Sequence, residues 1–137
     1  MTNEEKEEMI KRIKYNPFIE FLNVEFNILD EGVVEARMPL ADYQKQYAGV
    51  VHGGVVASLA DTISGFAAHI IAPEDKNVLT ADLKLSYLRA AWGKELFARG
   101  YVIKKGKTLI FSEAEIYCEE KLICKAAGTF CLVPRKV

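Results

Sequence analysis

His52-Gly53-Gly54 and, eight residues after Gly53, Asp61 are the residues of this chain whose types and spacing could do chemistry. They sit in a stretch, residues 51–70, that is otherwise mostly apolar. A Gly-Gly helix start leaves backbone N–H groups without partners at the positive end of the helix. A lone ionised carboxylate in a packed apolar helix is costly unless something pairs with it, and groups held that way concentrate at catalytic sites. Amides at a helix start can stabilise an oxyanion, and a carboxylate can attack a carbonyl or deprotonate a water. Hydrolysis of an activated acyl group needs both parts.

The spacing limits how they can cooperate. Gly53 and Asp61 are about 12 Å apart along one helix axis at 1.5 Å per residue, too far for one thioester carbonyl to touch both. Two copies with antiparallel helices would bring the Gly53 end of one to the Asp61 region of the other, giving a composite site in a symmetric dimer. On a helical wheel Val55, Val56, Leu59, Ile63, Phe66 and Ile70 form a broad apolar face. Ser58, Asp61, Thr62, Gly65 and His69 fall on another, which is either solvated or, as we read it, turned toward the second subunit. His52 reads as a general base, a helix cap or a loop anchor, with an orienting role preferred. His69 reads as an ordinary helix-end residue. No Gly-x-Ser-x-Gly elbow accompanies His-Gly-Gly, and no phosphate-loop or dinucleotide fingerprint occurs.

The elements that must position these residues follow from pattern and punctuation. Residues 3–15 read as an amphipathic helix that Asn16-Pro17 ends, followed by a short apolar turn or helix at Phe18, Ile19, Phe21 and Leu22. Residues 24–29 and the alternation of Val34, Ala36 and Met38 with Glu35 and Arg37 give two strands around the turn Asp30-Glu31-Gly32. A polar loop, residues 41–51, leads into the helix at about 53–71, stopped by Pro73 and the charged residues 74–77. Four strand-like runs follow. Ala81, Leu83, Leu85 and Tyr87 alternate with polar neighbours, and then come residues 95–104, 108–118 and 122–133, the last two a hairpin over Glu119-Glu120-Lys121. Strands joined by short turns imply an antiparallel sheet. The expected architecture is α+β: a curved antiparallel sheet wrapped around a long central helix, as one domain over residues 1–137.

Composition excludes several function classes. Half of the 137 residues are hydrophobic, enough for a core without metal or disulfide support. The 18 basic and 19 acidic residues leave a net charge of −1, which argues against a nucleic-acid or anionic-membrane binder. No run approaches the ~20 apolar residues of a membrane span. The acidic first eight residues hold no apolar signal core, so the expectation is a cytoplasmic, soluble protein. Cys118, Cys124 and Cys131 read as core thiols of a reducing compartment, and no Cys-x-x-Cys pair suggests zinc.

His52-Gly53-Gly54 with Leu59-Ala60-Asp61 resembles the hotdog-fold acyl-CoA thioesterases of the phenylacetate-degradation type. The likeness extends over nearly the whole chain, through Asn16-Pro17-Phe18, residues 80–88 and Lys105-Gly106-Lys107-Thr108-Leu109. It implies a homodimer, often a dimer of dimers, and hydrolysis of aryl- or short- to medium-chain acyl-CoA. It implies neither metal nor cofactor, coenzyme A being part of the substrate. In this likeness Asp61 matches the acidic nucleophile or general base, and Gly53 matches the glycine whose N–H binds the thioester oxygen. His52 matches the motif histidine, and Thr80 a hydroxyl that holds the attacking water. Gln46 stands where many members have Asn, a departure of one methylene. Cations for the coenzyme A phosphates are sought at Arg89, Lys104, Lys105, Lys107, Arg135 and Lys136, any one of which alone is ordinary solubilising charge. Two other readings compete. A non-catalytic acyl-CoA sensor on the same fold is disfavoured by Asp61 and by the lack of a second N-terminal helix. A hydratase is disfavoured by the lack of a paired histidine and acid.

Overall fold

The computed structural model describes residues 1–135, so Lys136 lies outside the described residues. Its elements run α1 (Asn3–Lys14), α2 (Pro17–Leu22), β1 (Glu25–Asp30), β2 (Val33–Pro39), α3 (Gly53–Ile71), β3 (Lys76–Tyr87), β4 (Glu95–Lys105), β5 (Leu109–Cys118) and β6 (Lys121–Pro134). A single 3₁₀ turn, Asp42–Gln44, lies in the loop before α3. Asn16 closes α1 as expected, but its side chain also accepts the Phe18 N–H and so caps α2, with Pro17 in the first turn.

The strands form one antiparallel sheet in the order β1-β2-β4-β5-β6-β3. This is the hotdog architecture, with the sheet curved around α3. Strand β3 therefore ends at an outer edge although it directly follows the helix. It begins earlier than its alternation suggests, inside the charged stretch at Lys76. The hairpin turn is shorter than expected: Glu119 and Glu120 alone make it, both at positive φ, and Lys121 already belongs to β6.

Helix α3 packs on β2, β3, β4, β5 and β6. Val56, Leu59, Ala60, Ile63, Phe66 and Ala67 are buried against Val34, Met38, Leu96, Ala98, Ala114 and Ile116 of the sheet. This helix corrects one expectation: at 19 residues it is long and apolar enough to cross a membrane by length and composition. Here that apolar surface faces the sheet, the other way of satisfying a helix apolar on most of its circumference. Cys118, Cys124 and Cys131 are free thiols, the first two buried.

Helix and sheet approach closely at Gly100 of β4. A Cβ built there would stand 2.6 Å from the Ile63 carbonyl oxygen, a backbone atom that a rotamer change cannot move. Gly100→Ala should therefore push α3 off the sheet and lower stability by about 1–3 kcal/mol, measurable by denaturant unfolding. An unchanged midpoint would mean that the helix is not seated this closely.

Candidate active site

Helix α3 starts at His52, whose ring caps it. The Gly54 N–H donates to His52 Nδ1 at 2.9 Å, so the neutral ring carries its proton on Nε2. The Val55 and Val56 N–H groups both reach the His52 carbonyl, at 2.9 and 3.3 Å. The Gly53 N–H has no acceptor among the described residues. It is thus the unspent donor of the first turn, where the helix dipole adds positive potential. The Tyr87 hydroxyl donates to the Gly53 carbonyl at 2.8 Å and ties this turn to the end of β3. Sequence reasoning gave Tyr87 no role. Its place in the inward-facing set with Leu83 and Leu85 was the available signal.

Asp61 lies two turns further on. It is half-buried and faces a cavity, not the packed apolar surroundings that the sequence suggested. Its Oδ1 accepts the Thr80 hydroxyl proton at 2.7 Å. Thr80 reaches inward because β3 is irregular there. Thr80 pairs with Phe130 and Asp82 with Thr129, leaving Ala81 as an extra residue. Such a bulge re-aims the side chains that flank it. Ser58, one turn before Asp61, donates its hydroxyl proton to the Gly54 carbonyl at 2.8 Å, and Ser64 donates to the Ala60 carbonyl at 2.6 Å. Helix hydroxyls are thereby returned to the backbone, and Asp61 keeps Thr80 as its side-chain donor.

The sequence-selected residues separate into two cavities. One, of about 750 Å³, is lined by Asp61 and Thr80 together with Ser58, Thr62, Gly65 and Phe66. The other, about 350 Å³, is lined by Gly53, Gln46, Tyr87 and Arg89. Gln46 is exposed in a loop tightened by hydrogen bonds between its backbone and Val50 and Gly49. Arg135 joins the Asp61 cavity, whereas Lys105 and Lys107, at the turn between β4 and β5, line neither. His69 is more than a helix-end residue: it is half-buried in the Asp61 cavity. Burial, then the charges of Arg135 and Arg12, hold its imidazole below the ordinary histidine range. Burial, with a smaller contribution from Cys124, raises the Tyr87 phenol, which stays a hydrogen-bond donor. Among the described residues no group of three or more His, Cys, Asp and Glu is placed to hold a metal ion.

Residues 48–125, more than half of the chain, match the family described as the thioesterase superfamily. A thioesterase of Haemophilus influenzae is 30% identical, with 90% of this chain and 87% of that one aligned and a TM-score of 0.82. A thioesterase family protein of Silicibacter pomeroyi is 27% identical, with 96% and 99% aligned and a TM-score of 0.90. The PaaI protein of the Escherichia coli phenylacetic acid degradation operon is 19% identical with a TM-score of 0.86 over 97% and 96% of the two chains, a likeness of fold.

The cap at His52 is open to a direct test. His52→Ala removes the acceptor for the Gly54 N–H and should lower stability by about 1 kcal/mol in thermal or denaturant unfolding. His52→Asn, which supplies a short side-chain acceptor at the same position, should recover most of that loss.

Proposed function

The chain belongs to the thioesterase superfamily and is a thioester hydrolase, and from that premise we propose that it cleaves acyl-coenzyme A at a site shared by two subunits. The Asp61 carboxylate attacks the thioester carbonyl carbon, or deprotonates the water that does, and the carbonyl electrons move onto oxygen. The Gly53 N–H of the partner subunit meets that oxygen, a donor worth roughly 3–4 kcal/mol in such sites. The C–S bond then breaks: in the general-base route the sulfur takes the proton that Asp61 removed from water, and in the nucleophilic route the thiolate is protonated by water and a second water cleaves the Asp61 acyl anhydride, releasing the acid and restoring the carboxylate. Thr80 is a positioning residue: its hydroxyl fixes one carboxylate oxygen and leaves the other to act.

The observation that carries this reading is the placement of the Asp61–Thr80 pair and the unspent Gly53 N–H in different cavities of one chain. The helix between them spans about 12 Å, so catalysis by both needs a second copy. Strand β3 supports such pairing. It is a 12-residue edge strand, and Leu79 and Tyr87 on it are more than half exposed. A long open edge of this kind is a ready template for another strand. Arg89 lines the same cavity as Gly53, a cation within reach of a coenzyme A phosphate in this reading.

Thiol release from acyl-CoA, followed with a thiol reagent, should fall by at least ~10²-fold in Asp61→Asn, which preserves shape while removing the base or nucleophile. Binding of acyl-CoA with no thiol released by the native protein would instead make it a sensor. The shared site has its own test. Gly53→Pro removes that N–H while keeping the helix start, because proline is tolerated at the first helical position after an extended residue, as His52 is, and a Cβ there would stand 3.7 Å from the Tyr87 ring, an ordinary contact. Co-expressing Gly53→Pro with Asp61→Asn should restore about a quarter of native activity, the share of sites that join two intact halves. No recovery would place both groups in one chain's site.

A further inference from the structure

Strand β3 carries two marks that locate a second copy against it. Its Thr80 hydroxyl touches Asp61, and its Tyr87 hydroxyl touches the Gly53 carbonyl. The strand is also the last of the sheet, with β6 on one side and, among the described residues, no strand on the other. Between the two marks its faces alternate. Asp82 and Lys84 are exposed, while Leu83 is half-buried and lines the Asp61 cavity. On β6 the residues opposite Asp82, Leu83 and Lys84 are Thr129, Gly128 and Ala127, none of them charged. Among the described residues the one ion pair is Glu113–Lys125, so neither Asp82 nor Lys84 is answered within the chain.

A two-fold axis perpendicular to the sheet lays two β3 edges antiparallel. It keeps both copies of α3 on one side of the joined sheet and reverses one against the other. The partner's Gly53 then comes to Asp61 when the partner's Tyr87 stands near the level of Thr80, which centres the pairing at residues 83–84. Residues directly opposite in an antiparallel pair project to the same face, whereas neighbours along a strand project to opposite faces. The axis therefore passes at the level of one residue, Leu83 or Lys84, and not between them.

Charge decides between the two. An axis at Lys84 sets that lysine against its own copy and leaves Asp82 facing the partner's Ser86. An axis at Leu83 sets Leu83 against the partner's Leu83, an apolar contact, and Asp82 against the partner's Lys84 on both sides of it. Opposite charges directly across a strand pair are stabilising, and like charges are destabilising. Resting on the shared-site reading above, we infer that two copies of this chain join edge to edge through β3 with Leu83 on the two-fold axis, clasped by Asp82 and the partner's Lys84. Moving the axis by one residue slides the partner by two, about 7 Å along the strand. A displacement of even about 1 Å can cost ~10²-fold in rate, so the clasp also sets the separation of Asp61 from the partner's Gly53. Asp82 and Lys84 are thus positioning residues that act through the register.

Cysteine substitution reads that register directly. With Leu83 on the axis, the two copies of residue 83 have Cα atoms about 4.5–5.5 Å apart, within reach of a disulfide, and the two copies of residue 84 stand about 8 Å apart, beyond it. Under mild oxidation Leu83→Cys should run as a covalent dimer on a non-reducing gel, and Lys84→Cys should run as the native chain does. Bridging of Lys84→Cys in place of Leu83→Cys, or of neither, overturns the inference. The exposed charges give a second reading that leaves packing alone. Asp82→Lys should weaken dimerisation about tenfold or more in low-salt sedimentation, and lower thiol release from octanoyl-CoA in step with the loss of dimer. Adding Lys84→Asp to the same chain should restore both. No weakening in the single variant, or no recovery in the double, also overturns it. Thiol release by a native protein that sediments as a monomer at the assay concentration overturns this pairing and leaves hydrolysis standing. A Leu83→Cys bridge with no thiol released by the native protein from any acyl-CoA does the reverse.

Discussion

The Thr80 hydroxyl and the Asp61 carboxylate, 2.7 Å apart, join the edge strand to the central helix, and the rest of the site depends on that bond. Asp61 follows Leu59 and Ala60, which are fully buried, so the helix brings a carboxylate to the margin of an apolar core. There it needs a donor, water or both. The fold provides an open cavity and one hydroxyl. That hydrogen bond holds one carboxylate oxygen against the edge strand. The bond requires β3 to lie along α3 with its bulge at Ala81, so strand register and carboxylate orientation are one constraint.

The second tether, from Tyr87 to the Gly53 carbonyl, fixes the other end of the same strand to the helix start. Between the two, α3 rests close on the sheet because its contact residues are small: Ala60 and Ala67 on the helix, Gly100 on β4. His52 completes the helix start by taking the Gly54 N–H and leaving that of Gly53 free. The helix thus distributes its chemistry along its length, with a donor at its first turn, a carboxylate in its middle and two cations beside its last turn. The sheet keeps these stations at fixed separations.

Much of this was legible in the chain itself. Gly-Gly and Pro73 bracket α3 because one leaves orphan amides and the other cannot continue a helix, and the observed bounds, Gly53 and Ile71, are those expected. Alternation located β2, β4 and β5 to within a few residues because each has one buried face. Spacing alone placed Gly53 and Asp61 too far apart to share a carbonyl. Three features were not legible. Strict alternation through Leu83 and Leu85 would put Thr80 on the opposite face, and only the bulge brings it to Asp61. The Tyr87–Gly53 bond joins residues 34 apart. The meeting of Arg12 and Arg135 at His69 joins nearly the two ends of the chain.

What the sequence determined by itself was local: helix limits, strand periods, and which residues could accept or donate a proton. These follow from backbone sterics and side-chain pattern over a few residues. Tertiary structure alone decided which of those residues meet. Strand order carries β3 past β6 to the sheet edge, and one extra residue in a strand reverses the facing of everything before it. Pairing over long separations depends on that register, and no short window of sequence contains it.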